Sequence, residues 1–172
     1  IWADYQKDIP DDHYFYVRSC IRQSFFPASE VTSLDITRNK LGKDFYENAY
    51  HTTCGGIAYH SDSIPQETAM TIIARQFALM HESGYENYVC SCITSFGCYT
   101  ETLETWHEFP ELEAKIRQYL WDSCKKEFAK PKYLAHASDI IYKFRHEIAK
   151  QAKYKLVNVK TGKPLKVVEH IG

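Results

Sequence analysis

Residues 51–67 read HTTCGGIAYHSDSIPQE, a thiol (Cys54) set directly before two glycines and just ahead of a strong helix start. Ser63 and Gln66 have the three-residue spacing of a capping box, and Pro65 suits a first helical turn. Beyond them Ala69, Ile72, Ile73, Phe77 and Met80 recur at helical spacing, which predicts one buried face, and Gly84 marks the end. Upstream, HYFYVR (13–18) is aromatic and β-prone, reads as a strand and runs into Cys20. Pro27 opens another helix, with Val31, Leu34 and Leu41 as its expected apolar side and Gly42 as its cap. DFYENAYH (44–51) reads as a weak strand leading into Cys54.

Downstream, NYVCSCI (87–93) reads as a short buried strand. Helical patterns follow from about 97 to 108 and from Pro110 to about 128, the latter with a Leu112, Ile116, Leu120 stripe. Ser138 is the expected N-cap of a last helix carrying Ile141, Phe144 and Ile148. YKLVNV and PLKVVEH, joined by Lys160-Thr161-Gly162-Lys163, fit either a hairpin or a parallel strand entering a further unit. Strands alternating with helices predict an α/β fold with a mainly parallel sheet flanked by helices.

Composition narrows function. The 21 basic and 22 acidic residues nearly cancel and form no basic block, so nucleic-acid binding has no electrostatic footprint. No apolar run approaches the ~20 residues of a membrane span. The opening IWADYQKDIPDD has no secretory pattern, so the expected location is cytoplasmic. Six cysteines in a helix-rich chain of 172 residues fit poorly with a disulfide framework, which belongs to small loop-rich domains. Cys124, in the polar stretch WDSCKKE, reads as a bystander.

The other five share a pattern. Cys20 and Cys54 each lie between a predicted strand and a helix, and Cys90, Cys92 and Cys98 lie at a third strand end. In open α/β sheets, sites form beyond the carboxyl ends of strands, so three distant segments would deliver thiols to one rim. Gly55 and Gly56 let backbone approach sulfur closely, and nearby helix N-termini favour thiolate. Thiolate is soft and selects zinc or iron–sulfur clusters over hard cations. His51 and His60 flank the Cys-Gly-Gly turn as candidate ligands or proton donors, with surface loop histidines as the alternative. No second His-x-Thr accompanies His51-x-Thr53, which disfavours phosphoesterase chemistry.

Tyr16-Val-Arg-Ser-Cys20, Pro27, Glu30, Leu41-Gly42, Cys54-Gly55, Ile64-Pro-Gln-Glu-Thr-Ala-Met70 and Cys92-Ile-Thr-Ser-Phe-Gly97 together resemble the cysteine-rich CCG domain. The form they match is that of the B-type subunit of heterodisulfide reductase and its heterodisulfide-reductase-like relatives. The resemblance implies a CCG-type domain over 13–160, after an N-terminal extension over 1–12. Residues 161–172 would then lead, through Lys166–Gly172, toward a second CCG domain absent from this sequence. It further implies an iron–sulfur thiol/disulfide oxidoreductase subunit. Its partners would be iron–sulfur and flavin subunits of a complex, and its substrate a small disulfide. The implied cofactor is a [4Fe–4S] cluster, non-cubane in intact members, held by Cys20, Cys54 and Cys92 with Cys98 or Cys90 completing the set.

Two departures bear on that cofactor. Thr53 stands where the family has the first of two adjacent cysteines, and Ser95 stands at the end of the Cys-x-x-Cys. A hydroxyl is a poor substitute for thiolate on iron. The residues therefore leave open a simpler iron–sulfur cluster, a tetrahedral zinc, or free thiols in exchange chemistry. At the level of the whole chain, the rivals are a structural zinc or assembly domain and a secreted disulfide-bonded binding protein.

Overall fold

Tyr14–Val17 forms β1, and all four of its side chains are buried, as a central parallel strand requires. The computed structural model describes residues 9–51, 54–151, 157–158 and 160–164. Three further strands join β1: β2 (Phe45–Tyr46), β3 (Asn87–Cys90) and β4 (Tyr133–His136). The order is β2-β1-β3-β4, and every pairing is parallel. The fold is α/β, with helices on both sheet faces, as the alternation predicts.

Side-chain alternation along β1 divides the core. Phe15 and Val17 point to one face, where they join Tyr88, Cys90, Phe77, Tyr99 and Trp106. Tyr14 and Tyr16 point to the other and pack with Phe45, Val89, Ala135 and Ile140. Helix α4 (Gln66–Glu82) covers the first face with Ala69, Met70, Ile73, Ala74, Phe77 and Met80; of the expected face, Ala69, Ile73, Phe77 and Met80 are buried and Ile72 is half-buried at its edge. Phe77 is its centre, with ring centroids 5.5 Å from Tyr88, 5.5 Å from Tyr99 and 6.2 Å from Trp106. Gly84, at φ +78°, turns the chain out of this helix.

Several local expectations give way to tertiary context. Pro65 sits at the N-cap of α4 without a side-chain cap, and Ser63 bonds Ser61 at 2.7 Å instead. The helix opening at Pro27 (α2, Pro27–Leu34, then a π-helical segment Asp35–Lys40) buries Glu30, Ser33 and Thr37, while Val31 is 65% exposed. These three buried residues thus meet polar strand ends, while Leu34 of the expected apolar side packs, partly buried, against the core. Helix α5 (Ile93–Glu108) starts earlier than its apolar periodicity suggests, and α6 (Pro110–Cys124) ends earlier. Strand β4 has no clear sequence signal, since Leu and Ala favour helix and only its pairing with β3 makes it a strand. His136 at its end, rather than Ser138, caps the following α7 (Ala137–Lys143), and α8 (Arg145–Gln151) completes the helical layer. Val157 and Pro164 form an antiparallel bridge around the expected turn. The flanks of that hairpin, and the strand expected at 166–172, lie outside the described residues.

Truncating Phe77 to Ala opens a cavity among three aromatic rings and is expected to cost about 3–5 kcal/mol in denaturant unfolding. Val31→Ala is expected to stay within about 0.5 kcal/mol. The reverse order would contradict this placement of the core.

Candidate functional site

The strand order fixes where a site belongs. The connection leaving β1 runs outward to β2, whereas the chain then returns across to β3 on the other side. Between the carboxyl ends of β1 and β3 the winding reverses, which is where open α/β sheets place a site. Val17 pairs with Cys90, and Ser91 N donates to Val17 O at 3.1 Å, so both strands end level. Cys20 then opens helix α1 (Cys20–Phe25), and Cys92 is the N-cap of α5. The two segments meet at this edge of the sheet, tied by a 2.8 Å bond from Ser19 N to Ser91 Oγ.

Cys54 reaches the same place on the loop leading to helix α3 (Gly56–His60). It is 2% exposed, and Gly56 N donates to its Sγ at 3.4 Å. Gly55 takes φ +79°, and a Cβ there would lie 3.1 Å from Ile72. A Cβ on Gly56 would lie 3.4 Å from both Cys54 Sγ and Cys98 Sγ, so this glycine keeps open the space between two thiols. Cys98, one turn into α5, is fully buried and donates to Ser95 O at 3.2 Å.

Electrostatics separates these thiols. Burial pushes Cys54 up, and the neighbouring Cys20 and Cys92 add to it, while Ser95 and the Gly56 N–H oppose it. Burial pushes Cys98 and Cys90 up further, with the other thiols contributing. Cys92 behaves oppositely. Its partial burial acts upward, but the N–H groups of Ser95 and Thr94 and the hydroxyls of Ser19 and Ser95 outweigh it, holding it below the usual thiol range. Ser95 Oγ is fully buried and completes no hydrogen bond of good geometry among the described residues, yet it lies beside the Cys54 and Cys92 sulfurs.

The structure therefore brings Cys20, Cys54, Cys92 and Cys98 to one rim. Cys90 lies beneath them on β3, fully buried against the aromatic core. Cys124 is exposed at the end of α6, where its thiol donates to Leu120 O. His60 is exposed at the end of α3, with Nε2 3.9 Å from a Cβ position on Gly97. His51 is not a surface loop residue. It is buried, its ring meets Phe15 edge-on at 6.5 Å, and its charged neighbours are Arg18, Arg75 and Glu47. The sequence gives no signal for His136 at the end of β4, whose ring packs against Phe96 at 6.2 Å. Burial holds this imidazole below its usual range, although Asp139 acts in the other direction. Its Nδ1 accepts from Ser138 N at 3.3 Å, which leaves the ring proton on Nε2.

No family model matches the chain. It is similar to the B-type subunit of the ferredoxin:CoB-CoM heterodisulfide reductase of Methanosarcina acetivorans, at 25% identity over 161 residues. That alignment takes in 90% of this chain and 51% of the other protein. The chain is thus a distant relative of a heterodisulfide reductase subunit and spans about half the length of the curated relative it matches.

The rim can be tested against the iron–sulfur centre that the resemblance implies. Among the described residues, no three His, Cys, Asp or Glu side chains form a group that holds a metal ion as placed. The donor chemistry fits such a centre. It offers four soft thiols, a backbone N–H aimed at one of them, a buried hydroxyl beside two, and a glycine whose Cβ would fill the gap.

His51 yields a pH test. Neither ring nitrogen has a hydrogen-bond partner among the described residues, and burial pushes its pKa down to about 4 from an ordinary 6.5. Between those values the unfolded chain binds a proton that the folded chain refuses. This contribution is complete above pH 6.5 and is lost as pH falls toward 4, about 3 kcal/mol in all. Unfolding of His51→Phe against wild type across this range is expected to lack that slope. An identical slope in both proteins would contradict the buried placement.

Proposed function

We propose that the chain is the first half of a heterodisulfide-reductase-like oxidoreductase subunit. In this reading it works at a thiol-lined redox site that passes electrons to or from a small disulfide. The observation that carries the reading is the arrival of Cys20, Cys54 and Cys92, from three separate segments, at the switch point of the sheet. The relative's name specifies a ferredoxin and the CoB-CoM heterodisulfide for that protein. For this chain the proposal is the broader class: a disulfide of small thiols, with an iron–sulfur or flavin subunit as redox partner.

Cys20, Cys54 and Cys92 would hold an iron–sulfur centre, with Cys98 as the fourth thiol because it shares the Gly56 gap with Cys54. Such a centre supplies one-electron transfer at a potential set by hydrogen bonding to sulfur and by exposure. The chain's own residues set both. The Gly56 N–H and the Ser95 hydroxyl sit against sulfur, and the N-terminus of α5 points its free N–H groups at Cys92. Behind them Tyr88, Tyr99 and Cys90 keep the rim's inner side dry.

The outer side is built to be covered. Ile21 follows Cys20, Ile93 follows Cys92, and Ile57 lies three residues beyond Cys54, and all three are exposed. Exposed apolar side chains close in sequence to each of these thiols support reading this side as an interaction face. A second CCG domain of the same subunit is the proposed cover, consistent with the half-length match.

Anaerobic purification followed by iron and acid-labile sulfide analysis tests the proposal. Wild type and Cys124→Ser are expected to carry equal iron and sulfide and a brown absorbance band, whereas Cys54→Ser loses most of both. Ser95→Cys, which adds a thiol beside Cys54 and Cys92, is expected to retain more iron through gel filtration. A colourless wild type with one zinc per chain, or equal iron in wild type and Cys54→Ser, would overturn the proposal.

A further inference from the structure

Ser91 is 3% exposed and carries hydrogen bonds on every polar atom. Its N–H donates to Val17 O at 3.1 Å. Its hydroxyl accepts from Ser19 N at 2.8 Å and donates to Glu30 Oε1 at 2.8 Å, with Val17 O farther away at 3.2 Å. Its carbonyl accepts from Arg22 Nη1 at 2.8 Å. Arg22 is fixed in turn by bonds from Nη2 to Ser29 O (2.8 Å), Ser29 Oγ (2.6 Å) and Ser33 Oγ (2.9 Å). Its Nε faces Glu30 Oε2 at 3.5 Å. Glu30 is 4% exposed, a carboxylate almost entirely removed from bulk water.

This network explains the polar inner face of α2. Glu30 and Ser33 turn inward because they answer Ser91 and Arg22. A buried carboxylate is tolerated only when paired and hydrogen-bonded, so each member constrains the others. The network also has a particular address. Ser19 immediately precedes Cys20, and Ser91 immediately precedes Cys92. One buried hydroxyl therefore joins the two peptides that launch two rim thiols.

We infer that Ser91, locked by Glu30 and Arg22, is a positioning residue that holds Cys20 and Cys92 side by side so that both serve one centre. The inference rests on the shared thiol site proposed above. Removing the hydroxyl leaves Ser19 N–H unpaired and Glu30 without its neutral donor. Strand pairing between β1 and β3 stays in place, because those bonds are backbone to backbone. The two thiols then keep their individual reactivity and lose their fixed separation.

Phenylarsine oxide reads this directly, since its arsenic forms two As–S bonds with a dithiol and releases its oxygen as water. The 172-residue chain carrying Cys124→Ser is stripped of metal, reduced and titrated with this arsenical. The adduct is mapped by mass spectrometry, and iodoacetamide measures each thiol singly. The parent protein is expected to bridge Cys20 and Cys92. Ser91→Ala is expected to weaken the arsenical roughly tenfold or more, the effect of a lost bond to a charged group, with iodoacetamide rates and circular dichroism unchanged. Glu30→Gln, which still accepts from the Ser91 hydroxyl, should bind close to the parent, and Glu30→Ala should follow Ser91→Ala. That pair carries the test if alanine at 91 prevents folding. Parent-like arsenical affinity in folded Ser91→Ala and Glu30→Ala overturns the positioning role and leaves the shared site standing. A parent protein that forms no Cys20–Cys92 bridge overturns the shared site, and the clamp with it.

Discussion

The structure turns on the parallel pairing of β1 with β3. These two strands are far apart in sequence and become neighbours because β1 buries both its faces. The pairing brings Val17 beside Cys90 and leaves the next residues of each strand at the same height. Everything at the rim inherits that register. A slip of one residue would exchange the faces of every side chain on the strand and part Ser19 from Ser91. The order β2-β1-β3-β4 then places the pair where the winding reverses, which is where an α/β sheet opens to a ligand.

Chemistry at the rim is divided between backbone and side chain. Glycine at 56 yields the space between Cys54 and Cys98, and the first turn of α5 turns its N–H groups toward Cys92. The thiols differ in consequence. Cys92 is inclined toward thiolate, whereas Cys54, Cys98 and Cys90 are held toward the neutral thiol by burial. Buried thiols in an apolar wall are costly to ionise unless a cation or hydrogen bonds compensate. A redox centre assembled on such a wall would gain a dry inner side and would depend on its covering partner for an outer one.

Much of this is legible in the sequence, and what is not has physical causes. The aromatic run of β1, the periodic face of α4 and the spacing of Cys20, Cys54 and Cys92 each carry their own signal. Strand β4 does not, because Leu134 and Ala135 acquire strand geometry only from β3 beside them. Apolar periodicity assigns the buried side of α2 to Val31 because it assumes an apolar destination. Glu30, Ser33 and Thr37 form the buried stripe instead, and polar residues recurring at helical spacing are the available clue. His51 reads locally as a loop residue, while its burial comes from Phe15 in a strand remote in sequence. Ser91 is unreadable in principle, since its partners lie 61, 69 and 72 residues away.

The central claim is that thiols from three segments share one site, and differential alkylation of the anaerobically purified protein measures it most directly. Each cysteine is quantified by mass spectrometry before and after chelation. Cys20, Cys54 and Cys92 are expected to be protected together and to become reactive together, with Cys124 reactive throughout. Independent protection of those three thiols, or protection that chelation leaves unchanged, would contradict the account.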